Sequence, residues 1–261
     1  IPKGTIRGLI GENGAGKSTT INAILDLIHK DDGTVTFWGQ ELSSAKQLKE
    51  DIGVVFDGIN FYETLTAAKV GKISQTADKQ WDDRLYREYL NRFQLPTDKE
   101  IKTFSKGMKM KLCIAVALSH RPKLLILDEA TSGLDPVMRD DILDVFLEFV
   151  QDEEHSIMIS SHITTDLEKV ADTITFIHQG KVLFCKAKDE LLYHYGIIRC
   201  GAAIFDEIDK SEILAYRKED YQWNVLVADK EKARRRYKNA VVDDAAIDDI
   251  LLLYVKGERT K

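Results

Sequence analysis

Long apolar runs are absent from this 261-residue sequence. Its two most apolar stretches, residues 124–127 and 251–255, are far shorter than the roughly 18 to 20 residues that a membrane-spanning helix requires. We therefore expect no membrane-spanning helix. The 44% hydrophobic content is still enough for a substantial core, and the 31% charged content is typical of a water-exposed protein.

Cysteine is scarce, and neither sign of charge dominates. The three cysteines, Cys113, Cys185 and Cys200, are odd in number and lack the spacing of a metal site, so we interpret them as reduced thiols in the core of a cytosolic protein. The net charge of −6 gives no general argument for nucleic-acid binding. Internal repeats and low-complexity segments are also absent.

The first residues contain neither an initiating methionine nor a signal peptide. Residues 5–10 have the pattern of a buried strand that leads directly into the first motif. We expect that further residues precede this segment in the natural protein. The length accommodates one large domain with an appendage.

A phosphate-binding loop is predicted at residues 11–19, GENGAGKST, which match G-x-x-x-x-G-K-[ST]. Glycines in this motif let backbone N–H groups surround phosphate oxygens, Lys17 can reach the β and γ phosphates, and the Ser18 hydroxyl can ligate Mg²⁺. An apolar strand precedes the loop. A helical repeat of Ile21, Ile24, Leu25 and Ile28 follows, and we expect the helix to end at residues 30–33. The nucleotide-binding residues predicted here are Gly11, Asn13, Gly14, Ala15, Gly16, Lys17, Ser18 and Thr19.

Two carboxylates follow an apolar run in LLILDEA, residues 124–130. The run is typical of a central parallel strand. Its end places Asp128 where a water on Mg²⁺ would lie, and Glu129, the next residue, can accept a proton from an attacking water. Taken alone, the pair could equally be capping acids after a strand. The upstream phosphate loop favours the catalytic interpretation.

A second anion-binding helix end is predicted in TFSKGMKMKL, residues 103–112. Ser105 can cap the helix, and Gly107 allows close approach of the backbone. Lys102, Lys106, Lys109 and Lys111 surround this end, and they could raise the local positive field or simply form a solvated helix face.

Five motifs in this order resemble the ATP-binding subunits of ATP-binding cassette (ABC) transporters. They are GENGAGKST, FSKGM, LLILDEA, SGLD (132–135) and ISSH (159–162), and the similarity covers about residues 1 to 190. The resemblance implies an ATPase with ATP and Mg²⁺ as cofactors, in which two cassettes dimerise head to tail. Ser105 and Gly107 of one chain would then contact the γ-phosphate held by Lys17 of the other. His162 occupies the position of the family's switch histidine.

Two positions depart from the family pattern. A glycine is usual where Lys106 stands, and a glutamine is usual where Asp57 follows the strand DIGVVF. We interpret Asp57 as the equivalent of that glutamine, an oxygen ligand in the Mg²⁺ shell beside Ser18 and Asp128. The resemblance places the adenine-stacking aromatic upstream of the phosphate loop, so no residue here receives that role.

The predicted fold is an α/β P-loop NTPase of the ABC type, with a mostly parallel core sheet, a helical subdomain and a small α/β C-terminal appendage. We predict a cassette at residues 1–195, with its helical subdomain at 58–120, and an accessory domain at 196–261. In the family the helical subdomain touches the membrane subunits, and residues 57–61 would lie at that contact. The basic run at 230–238 could meet anionic lipid or nucleic acid, although a solvated helix face is the simpler interpretation. Similar tails occur in bacterial drug- and antibiotic-export systems.

The leading interpretation is an ATPase on the inner face of the cell membrane that drives transport through separate membrane-spanning permease subunits, and we expect the direction to be export. It pairs with a second ATPase chain, and no nucleic-acid partner is expected. One alternative is a soluble ABC-type ATPase of DNA repair, chromosome or translation function. The separation of 48 positions from Asp57 to Ser105 leaves no room for a long coiled coil, and only one cassette is present. Another is a nucleotide-dependent regulator without turnover, against which Glu129 and His162 argue.

Overall fold

The computed structural model describes residues 1–41, 46–58 and 61–259. The described chain divides into two compact units. The first comprises Ile1–Ala171 and Gln179–Lys181, and the second comprises Asp172–His178 and Val182–Lys261. The domain boundary expected after residue 195 stays a prediction.

The first unit contains a parallel four-stranded sheet with the order β4-β5-β6-β1. The register pairs Val55 with Leu127, Asp128 with Ser160, and Ile10 with Ser161, so the carboxyl ends of all four strands meet at one edge. Strand β5 is buried along its whole length, as expected for a parallel strand that is covered on both faces. The elements of the sheet and its flanking segments are β1 (Ile6–Ile10), α1 (Lys17–Ile24), β2 (Thr36–Phe37), β3 (Gln40–Glu41), β4 (Ile52–Val55), α2 (Ala67–Ala77), α3 (Asp83–Arg92), α4 (Lys106–Ser119), β5 (Leu124–Asp128), α5 (Pro136–Phe149), β6 (Ser156–Ser161) and α6 (Thr164–Val170).

Helix α1 is shorter than its hydrophobic repeat predicts. It ends at Ile24, not at residues 30–33, because Asp26 adopts a left-handed conformation with φ 58°. The N–H of Asp26 donates to Ala23 O at 3.3 Å, and the N–H of Leu27 donates to Asn22 O at 2.9 Å. These two bonds form a Schellman motif, which satisfies the last carbonyls and stops the helix.

Three helices, α2 to α4, occupy the segment expected to form the helical subdomain. Each helix is preceded by an N-cap residue whose side chain accepts a hydrogen bond from a backbone N–H of the first turn. The N-caps are Thr66, Asp82 and Ser105. The buried Tyr86 hydroxyl also donates to Ala67 O at 2.8 Å and joins α3 to the start of α2. Residues 57, 58 and 61 of the expected permease contact are described, whereas 59 and 60 lie outside the described residues.

The second unit begins with strands β7 (Thr173–His178) and β8 (Lys181–Ala187), which are neighbours in a sheet. Gln179 and Gly180 join them with φ values of 49° and 74°, the pattern of a two-residue type I′ turn, which confirms the predicted hairpin. Cys185 lies on β8 and is exposed, so its expected place in the core was wrong, whereas Cys113 and Cys200 are buried. Helix α7 (Lys188–His194) follows.

A four-stranded antiparallel sheet with the order β10-β11-β9-β12 forms the rest of this unit. The chain order β-α-β-β-α-β with this strand order is the split-βαβ arrangement. One face of the sheet packs on a core that includes Ile198, Val225, Ala233 and Tyr237. The elements are β9 (Gly196–Cys200), α8 (Ala202–Glu207), β10 (Ile213–Glu219), β11 (Gln222–Val227), α9 (Lys230–Arg236), β12 (Val241–Asp244) and α10 (Ile247–Lys256).

The basic helix α9 is paired with acids of its own unit. Lys232 lies 2.8 Å and Arg236 2.7 Å from Glu212, and Arg234 lies 2.9 Å from Asp244. These contacts favour the interpretation of the basic run as an ordinary charged helix face over a surface for anionic lipid. Among the described residues, no helix is both long and apolar enough to cross a membrane.

Candidate active site

The phosphate loop lies between β1 and α1 and has the backbone of an anion cradle. Gly14 and Gly16 have φ values of 81° and 108°, which side-chain-bearing residues rarely adopt. The N–H groups of Gly14, Gly16 and Lys17 have no acceptor among the described residues. A Cβ added at Gly14 would meet no atom within 4 Å, so the concave side of the loop is open. This arrangement fits a bound polyphosphate.

Lys17 is buried, with 5% of its surface exposed, and its ammonium closes the loop. Its Nζ donates to Gly11 O at 2.7 Å and to Glu12 O at 3.2 Å. The same Nζ lies 3.0 Å from Glu129 Oε1. The lysine predicted to bind phosphate is therefore held against the residue predicted to act as the base.

Asp128 ends β5 and is fixed by the neighbouring strand. The Ser160 hydroxyl donates to Asp128 Oδ1 at 2.5 Å across the β5–β6 pair. Helix α1, which carries Lys17 and Ser18, packs against β5. The Ser18 hydroxyl and the Asp128 carboxylate are thus oxygen groups on adjacent elements, and they suit a hard cation such as Mg²⁺.

Glu129 and His162 form the contact at the centre of the site. His162 Nδ1 lies 2.6 Å from Glu129 Oε2, so both carboxylate oxygens of Glu129 have cationic or N–H neighbours. Glu129 itself has φ 53°, a left-handed backbone conformation that is uncommon for a residue with a side chain. Its N–H faces Ser160 O at 3.2 Å and Ser160 Oγ at 3.1 Å, and these contacts hold the unusual backbone in place.

Asp57 lies two residues beyond Val55, at the carboxyl edge of the sheet. Parallel pairing of β4 with β5 puts it at the same edge as Asp128. Its side chain is exposed. This position suits an oxygen ligand at the rim of the site, and the role itself stays a prediction.

Ser105 and Gly107 form the N-terminus of the 14-residue helix α4. Ser105 Oγ accepts from Met108 N at 3.2 Å, which leaves its hydroxyl proton for another acceptor. The N–H groups of Lys106 and Gly107 have no acceptor among the described residues. A Cβ at Gly107 would lie 2.3 Å from Met138 Sδ, so the missing side chain serves close packing on α5.

The four lysines around this helix end are not equivalent. Lys109 lies 2.8 Å from Glu63, Lys111 lies 3.0 Å from Asp141, and Lys102 pairs with Glu100. Lys106 is exposed and forms no ion pair with any described residue. A cation in the first turn opposes the helix dipole, so an anion at this end would relieve an unfavourable charge.

Two residues of the site were not predicted from the sequence. Ser160 contacts both Asp128 and Glu129, and Gly180 N donates to Ala15 O at 2.8 Å, which ties the hairpin turn to the phosphate loop. The small polar residues in the strand SIMISS were a signal for the first, because buried serines need partners. The contact of Gly180 with Ala15 joins segments that are far apart in the sequence, so no local sequence pattern predicts it.

Three features together define a nucleotide-hydrolysing class of protein: a phosphate loop after β1, a carboxylate pair at the end of β5, and a histidine after β6, the strand that lies between them. A family model described as ABC transporter matches residues 1–132. The chain belongs to the ABC transporter family. It is an ATP-binding, ATP-hydrolysing subunit of such a transporter.

Relatives and solved structures agree with this assignment. The chain is 40% identical over 191 residues to the lantibiotic transport ATP-binding protein SrtF of Streptococcus pyogenes, covering 72% of this chain and 82% of SrtF. It is 32% identical over 195 residues to the ABC transporter ATP-binding protein YtrB of Bacillus subtilis, covering 75% and 67%. A solved ATP-binding subunit of an ABC transporter superposes with a TM-score of 0.67 at 29% identity, covering 73% of this chain and 82% of that structure.

Proposed function

We propose that this chain drives the export of antibiotic-like compounds by hydrolysing Mg-ATP between two head-to-tail copies of itself. The copies lie on the cytoplasmic face of the membrane against permease subunits. The export direction is supported by three relatives: SrtF, the bacitracin transport protein BcrA of Bacillus licheniformis at 36% identity, and the linearmycin resistance protein LnrL of Bacillus subtilis at 36% identity.

The contact between Lys17, Glu129 and His162 carries the catalytic part of the proposal. In this arrangement Glu129 Oε1 lies 3.0 Å from Lys17 Nζ, so the ammonium competes with water for this oxygen. The γ-phosphate of ATP is a better partner for Lys17 than the loop carbonyls, because it is anionic. ATP binding therefore draws Lys17 away and releases the base.

Hydrolysis then uses the groups around the γ-phosphate. Glu129 accepts the proton of the attacking water, and His162 keeps Glu129 oriented through Nδ1 while Nε2 is the ring atom available to the phosphate. Ser18, Asp128 and Asp57 would hold Mg²⁺, which neutralises charge on the phosphates when bound. Ser105 and the N–H groups of Lys106 and Gly107 would complete the site of the opposite copy.

Replacing Glu129 by glutamine tests this assignment, because the amide keeps the shape and cannot act as a base. We expect turnover to fall by about 10² to 10⁴, the usual contribution of a general base. ATP should still bind with near wild-type affinity, measured with a fluorescent nucleotide analogue. Glu148→Gln is the matched control, since Glu148 is an exposed glutamate paired with Arg92, and its turnover should be unchanged. Equal turnover in Glu129→Gln and wild type would contradict the proposal.

Export is tested separately in cells that carry the transporter genes. The Glu129→Gln chain should leave these cells as sensitive to bacitracin or a lantibiotic as a deletion strain. Wild-type resistance in the Glu129→Gln strain would contradict an ATP-driven export role.

A further inference from the structure

We propose that Asp166 is a positioning residue of the ATPase site, whose buried carboxylate couples the segment after Glu129 to the helix after His162. The inference rests on the proposed function. Asp166 touches none of the reacting groups, and it acts through Thr131 and Arg139 on one side and through its own helix on the other.

The burial of Asp166 is unusual for a carboxylate. Only 2% of its surface is exposed, and Oδ2 has no hydrogen-bond partner among the described residues. Arg139 Nη1 lies 3.9 Å from Asp166 Oδ1, at the outer limit of an ion pair. Burial raises the pKa of Asp166, against the lowering effects of Thr131, Arg139 and His162. A charged carboxylate in this place lowers the stability of the fold at neutral pH.

The groups that face Asp166 are also incompletely satisfied. Thr131 is fully buried and lies beside the carboxyl, but its hydroxyl is not aligned for an ordinary hydrogen bond. Arg139 Nε has no partner among the described residues, although Nη2 donates to Leu134 O at 3.1 Å. Three buried polar groups therefore meet without forming all their hydrogen bonds: Asp166 Oδ2, the Thr131 hydroxyl and Arg139 Nε. Small shifts of the segments that carry them can complete these bonds.

The position of the cluster shows which segments it can couple. Thr131 follows Glu129 by two residues and immediately precedes the SGLD segment, and Arg139 Nη2 donates to the carbonyl of Leu134 within that segment. Asp166 lies in the first turn of α6, four residues after His162. His162 and the SGLD segment both adjoin Glu129, so a link between them controls the orientation of the base relative to the histidine.

A purely structural role is the competing explanation, because an acid in the first turn of a helix is favoured by the helix dipole. The two explanations predict opposite stabilities. If the carboxylate has a structural role, removing its charge lowers the stability of the protein. If the buried carboxylate is retained for activity, removing its charge leaves the stability of the protein unchanged or raises it.

The experiment replaces Asp166 by asparagine in the full chain. We expect kcat for ATP hydrolysis to fall roughly tenfold, with ATP affinity within about twofold of wild type. The melting temperature at pH 7.5 should stay equal or rise. Asp140→Asn is the matched control: Asp140 is an exposed acid on α5 that contacts Lys169 at 2.6 Å, and its kcat should not change.

A second variant, Arg139→Gln, tests the link itself. It should lower kcat to a similar extent, and the double variant should lose little more, because the two residues act as one unit. A lower melting temperature or failure to fold in Asp166→Asn would overturn the proposal, as would unchanged kcat or additive losses. If wild type hydrolyses ATP and Glu129→Gln does not, the proposed function stands whichever of these results is obtained.

Discussion

At the scale of single residues, Ser160 contacts both Asp128 and Glu129, the two carboxylate residues of the candidate site. Its hydroxyl donates to Asp128 Oδ1, and its oxygens face the N–H of Glu129, whose left-handed backbone is costly for a residue with a side chain. One serine therefore holds both the proposed cation ligand and the proposed base.

We expect Ser160→Ala to reduce ATP turnover by roughly tenfold to a hundredfold, because a hydrogen bond to a charged group contributes about 1.5 to 3 kcal/mol. Steady-state phosphate release measures the change. Ser156→Ala is the control: it removes a serine hydroxyl from the other end of the same strand, where it donates to Pro2 O at 3.0 Å. Similar losses in both variants would show that the effect comes from β6 as a whole.

The candidate site residues could be predicted from the sequence, since Gly16, Lys17, Asp128 and Glu129 lie in short motifs with fixed spacing. The residues that position them could not. Ser160 and Asp166 lie near groups that are about thirty positions away in the chain, and that proximity arises only when β5 pairs with β6 and α6 packs on β6 and α5.

At the scale of elements, the N-terminus of α4 combines three features: the Ser105 hydroxyl, two N–H groups that have no acceptor among the described residues, and Lys106, which forms no ion pair with any of those residues. The strands and helices around the site were predicted well where a buried strand precedes a motif, as in β1, β5 and β6. Helix α1 was predicted too long, because its apolar repeat continues beyond Asp26. The left-handed residue that ends the helix is an aspartate, and a glycine would be the usual sequence signal for that conformation. The split-βαβ order of the second unit depends on long-range strand pairing that no local pattern reveals.

Substitution at this helix end should control dimerisation. In a Glu129→Gln background Mg-ATP should accumulate a dimer, and adding Ser105→Arg should abolish it, because a bulky side chain would stand where the γ-phosphate approaches. ATP binding by the single chain should persist, since Lys17 is untouched. Size-exclusion chromatography with light scattering measures the result.

Thr103→Arg is the control for this experiment, because it adds the same side chain at an exposed position two residues earlier. It should still dimerise. If Ser105→Arg dimerises as well as its parent, the helix end does not contact the nucleotide of a second copy.

At the scale of the whole molecule, the chain crosses between its two units more than once. It leaves the first unit after Ala171, returns for Gln179–Lys181, and then remains in the second. The hairpin turn therefore belongs with the phosphate loop, although its strands belong to the other unit. A cut near residue 195 removes the split-βαβ sheet and leaves β7, β8 and their turn.

We predict that a chain ending at Tyr195 stays folded and binds ATP, because the bond from Gly180 to Ala15 is retained. Circular dichroism and nucleotide titration measure the two properties. A matched chain ending at Ala171 should bind ATP more weakly, since it lacks that bond. If the chain that ends at Tyr195 does not fold, the last 66 residues are needed to complete the core.

The bond from Gly180 to Ala15 also bears on the order in which the molecule forms. The loop that holds the phosphates is encoded at the start of the chain, but one of its carbonyls finds its donor only at position 180. Contacts between such distant positions form late, because closing a long loop costs chain entropy before the contact can contribute favourable free energy. During synthesis, the nucleotide pocket is therefore completed after β5, β6 and the hairpin have been made, and a nascent chain shorter than this does not hold ATP at full strength.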